Sequence, residues 1–335
     1  MEETNWDDTP IAAAARRAAQ VLTPNTLQLP RPPQPRHLVV ANQKGGVGKT
    51  TSSVNLAAGL AVGGLKVLVV DLDPQGNAST ALGVDHRAGT LSSYELLIGE
   101  CTAEQAMQQS TTSENLFCIP ATIDLAGAEI ELVSMVRREY RLSDALHSTF
   151  IEEAGFDYVF IDCPPSLGLL TINAMNAVNE VLIPIQCEYY ALEGVGQLLN
   201  NITMIRQHLN PDLHISAILL TMFDARTKLA EQVSDEVRDH FGEVVMRTRI
   251  PRSVKVSEAP GFGQTVLTYD PGSRGAMAYL DAARELAQRG DYPPTEDSGA
   301  IGMPPESSAA DDNSPDAVTA DNSHDSDSVA TNEED

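Results

Sequence analysis

Between residues 37 and 290, short unbroken apolar runs alternate with longer stretches in which apolar side chains recur every three or four positions. The runs fall at residues 37–42, 66–71, 117–119, 158–162, 181–185, 215–221 and 244–246. Runs this short and this continuous predict strands buried on both faces. Helical spacing follows over 54–61, closed by Gly63-Gly64, and recurs after 124, around 142–151, after 167, over 192–208, after 228 and over 277–286. Strands alternating with helices predict an α/β fold: a doubly wound, mostly parallel sheet with helices on both faces. In such sheets ligands collect beyond the carboxyl ends of the strands, so the residues just after each run are the ones to read for chemistry.

The first run leads into Gln43-Lys44-Gly45-Gly46-Val47-Gly48-Lys49-Thr50-Thr51. The phosphate-binding loop G-x-x-x-x-G-K-[ST] cradles phosphates on backbone N–H groups at a helix start. Its second half is intact, with Gly48, Lys49 for the terminal phosphates and Thr50 for Mg²⁺. Gln43 replaces the first glycine and Lys44 adds a second cation, which makes this a deviant Walker A loop. Strand, glycine-rich loop and helix form the setting that such a match requires.

Carboxylates close two later runs. Asp162 ends the run 158–162, as does the acid that orients Mg²⁺ and its waters in phosphate-loop enzymes. Asp71 and Asp73 follow the second run, and strand alternation predicts that both face the same side. One can hydrogen-bond metal-bound water while the other orients or deprotonates the attacking water.

Charge changes the picture less than its total suggests. The net charge is −25, but 13 of the 47 acids lie after residue 290, where there is no Lys or Arg. That tail, rich in Asp, Ser, Asn and Pro, is expected to be disordered. Residues 1–36 are expected to be a flexible extension ending in a proline-rich linker. Residues 37–290 are expected to form a single nucleotide-binding domain. Within the acidic chain, residues 247–255 hold Arg247, Arg249, Arg252 and Lys255 and no acid, while Arg226 and Lys228 precede a helix. The four cysteines show no metal-ligand spacing and read as core thiols of a reducing cytosol. No apolar stretch reaches the roughly 18 residues of a membrane span, and the acidic N-terminus is unlike a secretory signal.

Together, QKGGVGKTT, DLDPQGN, PATIDLAGAEIEL, FIDCPPSLG, QCEYYALEG, LLTMFDART and IPRSVKVSEAP resemble the ParA family of chromosome-partitioning ATPases, close to its Soj-type chromosomal members, from about residue 37 to 287. The resemblance implies a cytoplasmic, nucleoid-associated ATPase that forms an ATP-dependent sandwich homodimer. It implies that ATP binds at Lys44, Gly45, Gly46, Val47, Gly48, Lys49, Thr50 and Thr51, with Lys44 expected to reach the other subunit's phosphates and Asp73 to activate water. On the same resemblance Mg²⁺ is expected at Thr50 and Asp162, with Asp71 acting through water. Arg226, Arg252 and Lys255 match the family's contacts to nonspecific double-stranded DNA. The resemblance further implies a ParB-type centromere-binding protein that stimulates slow intrinsic hydrolysis, and a polar scaffold protein is a further candidate partner.

Two rivals share the loop. A MinD-type membrane-cycling ATPase ends in a basic amphipathic helix, whereas this sequence ends in acid, so no membrane partner is expected. A ParA-like ATPase positioning another cargo has the same core motifs.

Overall fold

A computed structural model of the protein describes residues 27–189 and 191–289. The Ala-rich segment at 11–22 and the acidic tail after 290 lie outside the described residues. Eight strands form one sheet: β1 Arg36–Val40, β2 Val67–Asp71, β3 Gln108–Gln109, β4 Leu116–Ile119, β5 Tyr158–Asp162, β6 Glu180–Gln186, β7 His214–Phe223 and β8 Val245–Pro251. Their order is β3-β4-β2-β5-β1-β6-β7-β8. Every pairing is parallel except β3 with β4, as the alternating pattern predicts.

Side-chain alternation divides the core between the sheet's two faces. Val39, Leu68 and Val70 pack on one face under helices that include Leu125–Val133 and Leu169–Asn176. Leu38, Val40, Val67 and Val69 pack on the other under Lys49–Val62 and Arg274–Gln288. Burial on both faces is why the strands read as unbroken apolar runs.

At the amino ends of the strands, Arg36 makes a bidentate pair with Glu180, donating from Nε at 2.7 Å and Nη2 at 2.5 Å. Its Nη1 donates to the Leu286 carbonyl at 2.8 Å, tying β1 to the last helix. Burial opposes both charges, but the contact outweighs it: Arg36 is raised and Glu180 is held below the ordinary carboxylate value. The start of the proline-rich stretch is anchored nearby. Leu29 is buried, and its N–H donates to the Gly63 carbonyl at 3.0 Å.

Two local expectations need correction. The stretch 142–151 is not one helix but two, Arg141–Ala145 and Ser148–Ala154. Between them His147 takes ψ 152°, and its Nδ1 accepts from the Phe150 N–H at 3.1 Å, restarting the helix as a cap. The last strand also runs past Met246 to Pro251, through the basic residues Arg247 and Arg249. As an edge strand it has one neighbour only, so it tolerates exposed polar positions that a central strand does not.

Candidate nucleotide site and basic face

The register brings the ends of three strands together. Val40 pairs with Asp162, and Asp162 pairs with Asp71. β1, β5 and β2 therefore finish side by side, and the loop 43–48 leaves from the same edge.

Two buried polar side chains hold that loop from outside. Asn42 donates from Nδ2 to the Pro184 carbonyl at 2.8 Å, while its Oδ1 accepts from the Lys44 N–H at 3.0 Å. Thr221, on β7, donates to the Val47 carbonyl at 2.8 Å. Gly48 precedes the helix with φ +90°, a left-handed conformation that a side chain resists. Gly45 and Gly46 are exposed, whereas Val47 is buried. Thr50 and Thr51 form the first turn of Lys49–Val62.

The two lysines differ in setting. Lys49 is 8% exposed, and its ammonium donates to the Lys44 carbonyl at 3.3 Å. Burial lowers its pKa, opposed by the charges of Cys163, Asp162 and Asp73. Lys44 is half-buried, and its ammonium has no ion-pair partner among the described residues.

The acids also separate. Asp162 is fully buried; Ser53 donates to its Oδ1 at 2.9 Å, while its Oδ2 is buried without a hydrogen-bond partner. Burial and then the charge of Asp71 raise its pKa, against the nearby Thr50 and Ser53 hydroxyls. Asp71 is equally buried but engaged: its Oδ2 accepts from the Ser79 N–H at 2.8 Å and hydroxyl at 2.7 Å, and its Oδ1 from the Asp73 N–H at 3.1 Å. Burial raises it as well. β2 stops at Asp71, so strand alternation does not extend to Asp73. A turn places Asp73 instead, half-buried, with its Oδ1 accepting from the Gln75 N–H at 3.0 Å.

A lysine whose charge burial disfavours and a buried carboxylate with an orphaned oxygen meet at the same edge of the sheet. Each charged form costs energy alone. A polyphosphate and a hydrated divalent cation would compensate both, and Mg²⁺ suits an oxygen donor set such as Thr50 and water-bridged Asp162.

Of the three predicted DNA contacts, Arg226 lies between β7 and the helix Lys228–Phe241, Arg252 just after β8 and Lys255 on the short helix Val254–Glu258, and two of the three are paired. Arg226 makes a bidentate contact with Asp224 at 2.9 and 2.7 Å. Lys255 bonds Glu258 at 3.0 Å and lies 5.5 Å from the Tyr269 ring centroid. Arg249 pairs with Glu231 at 3.1 Å. Arg252 is exposed with no ion pair among the described residues, and its charge helps lower Asp224. The sequence reading missed Asn42, Ser53, Ser79 and Thr221, which hold the loop and its acids. Their residue types signal nothing without the fold, although Asn42 and Thr221 each end an apolar run.

Geometry and loop define a phosphate-loop ATPase. The family described as AAA domain matches residues 35–215. The sporulation initiation inhibitor protein Soj of Bacillus subtilis is 53% identical over 253 residues, 76% of this chain and 98% of that protein. The chromosome partitioning protein ParA of Myxococcus xanthus is 50% identical over 256 residues, 76% of this chain and 88% of that protein. Among solved structures, cobyrinic acid a,c-diamide synthase from Mycobacterium smegmatis with bound ADP and magnesium superposes with TM-score 0.64 at 40% identity, covering 75% of this chain and 93% of that one. The septum site-determining protein MinD of Pyrococcus horikoshii with Mg-ADP gives TM-score 0.60 at 26% identity, covering 77% of this chain and 97% of that one. The chain belongs to the Soj/ParA family of ATPases.

Proposed function

We propose that the chain is an ATP-dependent partitioning ATPase whose ATP-bound sandwich dimer coats nonspecific duplex DNA and leaves it when a ParB-type protein stimulates hydrolysis, driving chromosome segregation from the nucleoid. The observation that carries this reading is the second loop lysine. Lys44 has no ion-pair partner among the described residues and stands beside the exposed backbone of Gly45 and Gly46, while Lys49 already serves the chain's own loop. A cation with no ion-pair partner among the described residues, on an open glycine face, suits a second copy bringing its own phosphates.

In this reading residues 37–290 act as one ATPase domain. The loop 44–51 binds ATP, Thr50 and Asp162 hold Mg²⁺, and Asp73 directs the attacking water. When bound, Mg²⁺ supplies charge neutralisation on the phosphates. Asp71 shapes the turn that presents Asp73, and only its remaining Oδ1 lone pair is left to meet a metal-bound water. Arg226, Arg252 and Lys255 contact DNA phosphates without reading bases, and dimerisation doubles the patch, so ATP gates binding through avidity. No described helix is long and apolar enough to cross a membrane.

Sedimentation of Lys44→Ala with ATP tests the carrying observation. ATP binding should persist while the ATP-dependent dimer is lost. A normal dimer would remove the role of Lys44 across the interface.

A further inference from the structure

Asp162 leaves β5 into Cys163-Pro164-Pro165-Ser166-Leu167-Gly168, which runs into the helix Leu169–Asn176. The middle of this loop, at Pro165 and Ser166, is exposed. Asp162 fixes one end within the sheet, and the Thr171 hydroxyl ties the loop's middle to the following helix by donating to the Ser166 carbonyl at 2.6 Å.

A third contact comes from Glu129, on the helix Leu125–Val133. Its Oε1 is buried with no hydrogen-bond partner. The same oxygen lies 1.8 Å from where a Cβ on residue 168 would stand, so only glycine fits there without moving Glu129. Gly168 is the N-cap of Leu169–Asn176, and no side chain caps that helix. A buried acceptor without a donor therefore abuts a helix start whose first N–H groups lack a side-chain acceptor. Helix starts favour a carboxylate, and a small shift of the loop would bring the two groups together.

We propose that Glu129 is a positioning residue for ATP hydrolysis. It caps Leu169–Asn176 when the loop after Asp162 takes its nucleotide-bound position, and so holds that loop, and Asp162 with it, in register for the reaction. This rests on the assignment of Asp162 to the metal side of the nucleotide site.

The test is steady-state Mg-ATPase kinetics on the full chain with nonspecific duplex DNA, for wild type, Glu129→Ala, Glu129→Gln and Asp162→Asn. Glu129→Ala should lower kcat about ten-fold, the scale of one buried hydrogen bond to a charged group, and change KM for ATP less than about two-fold. Glu129→Gln keeps an acceptor oxygen and should recover most of the rate. Amide exchange over residues 169–171 should slow on adding Mg-ATP to wild type and to Glu129→Gln, and not in Glu129→Ala. Wild-type kcat in Glu129→Ala overturns the proposal. So does a Glu129→Gln as slow as Glu129→Ala, or amide exchange that ATP slows equally in all three. Normal hydrolysis by Asp162→Asn would instead sink the site assignment itself.

Discussion

Asp71 and Asp162 stand opposite each other in register on adjacent parallel strands, both fully buried, yet only Asp71 has all its carboxylate oxygens hydrogen-bonded. The pair divides the work of the sheet edge. Asp71 builds the turn to Asp73, and Asp162 keeps an oxygen in reserve. Their replacements should therefore fail differently. Asp71→Ala should destabilise the fold by about 3 kcal/mol, since it strands donors that serve a charged acceptor. Asp162→Asn should abolish hydrolysis yet stabilise the nucleotide-free protein. The sign follows from its raised folded pKa: stability is lost as pH rises above the ordinary carboxylate value of 3.8, and the asparagine removes that loss. Urea unfolding of both variants at acid and neutral pH checks this. An Asp162→Asn no more stable than wild type at neutral pH would contradict it.

Thr221 supplies the tie between β7 and the phosphate loop. Thr221→Val keeps the shape and removes the donor to the Val47 carbonyl. ATP affinity should fall about five-fold, the effect of roughly 1 kcal/mol, with little change in the fold. Calorimetric titration with ATP measures it, and unchanged affinity would show that the loop is held without this bond.

The basic face is restrained by its own acids. Asp224 occupies Arg226, and Glu258 occupies Lys255. Releasing either cation should strengthen DNA binding. Glu258→Gln and Asp224→Asn should each keep the protein on duplex DNA to higher salt and steepen the logarithmic salt dependence by about one, the effect of about one added phosphate contact. Weaker retention in both variants would mean that these acids position the cations rather than mask them.

Much of this was legible before folding. The strand-loop-helix from residue 37 to 62 follows from apolar continuity, a glycine-rich loop and helical spacing, all local signals. Asp162 was legible because it closes an apolar run. What was hidden depends on distant partners. Nothing in the spacing of Asp71 and Ser79 shows that one saturates the other, nor that Glu129 presses on Gly168. β8 was read three residues long because Arg247 and Arg249 interrupt its apolar pattern, and only its edge position makes room for them. The pairs Asp224–Arg226 and Lys255–Glu258 are close in sequence and could have been anticipated. They temper a patch that looked purely basic on paper.

The Arg36–Glu180 pair makes stability depend on acid pH. Glu180 is held below its ordinary value of 4.5, although burial alone would raise it. Its contribution is therefore complete above that value and lost as pH falls through the lower folded one. Glu180→Gln leaves Arg36 buried without its countercharge and should cost about 3–5 kcal/mol at neutral pH. The gap to wild type should narrow below about pH 4.5. Thermal unfolding across pH 3–7, on the order of one point per half unit, checks it; a gap independent of pH would mean that the pair's charge is irrelevant.

The central claim is that ATP switches this chain onto DNA. Co-sedimentation with nonspecific duplex DNA, in ATP, ADP or no nucleotide and at low and moderate salt, tests it directly. The account predicts retention with ATP alone, fading as salt rises. ATP-bound protein that stays off DNA in every condition would contradict it and leave an ATPase that positions some other cargo.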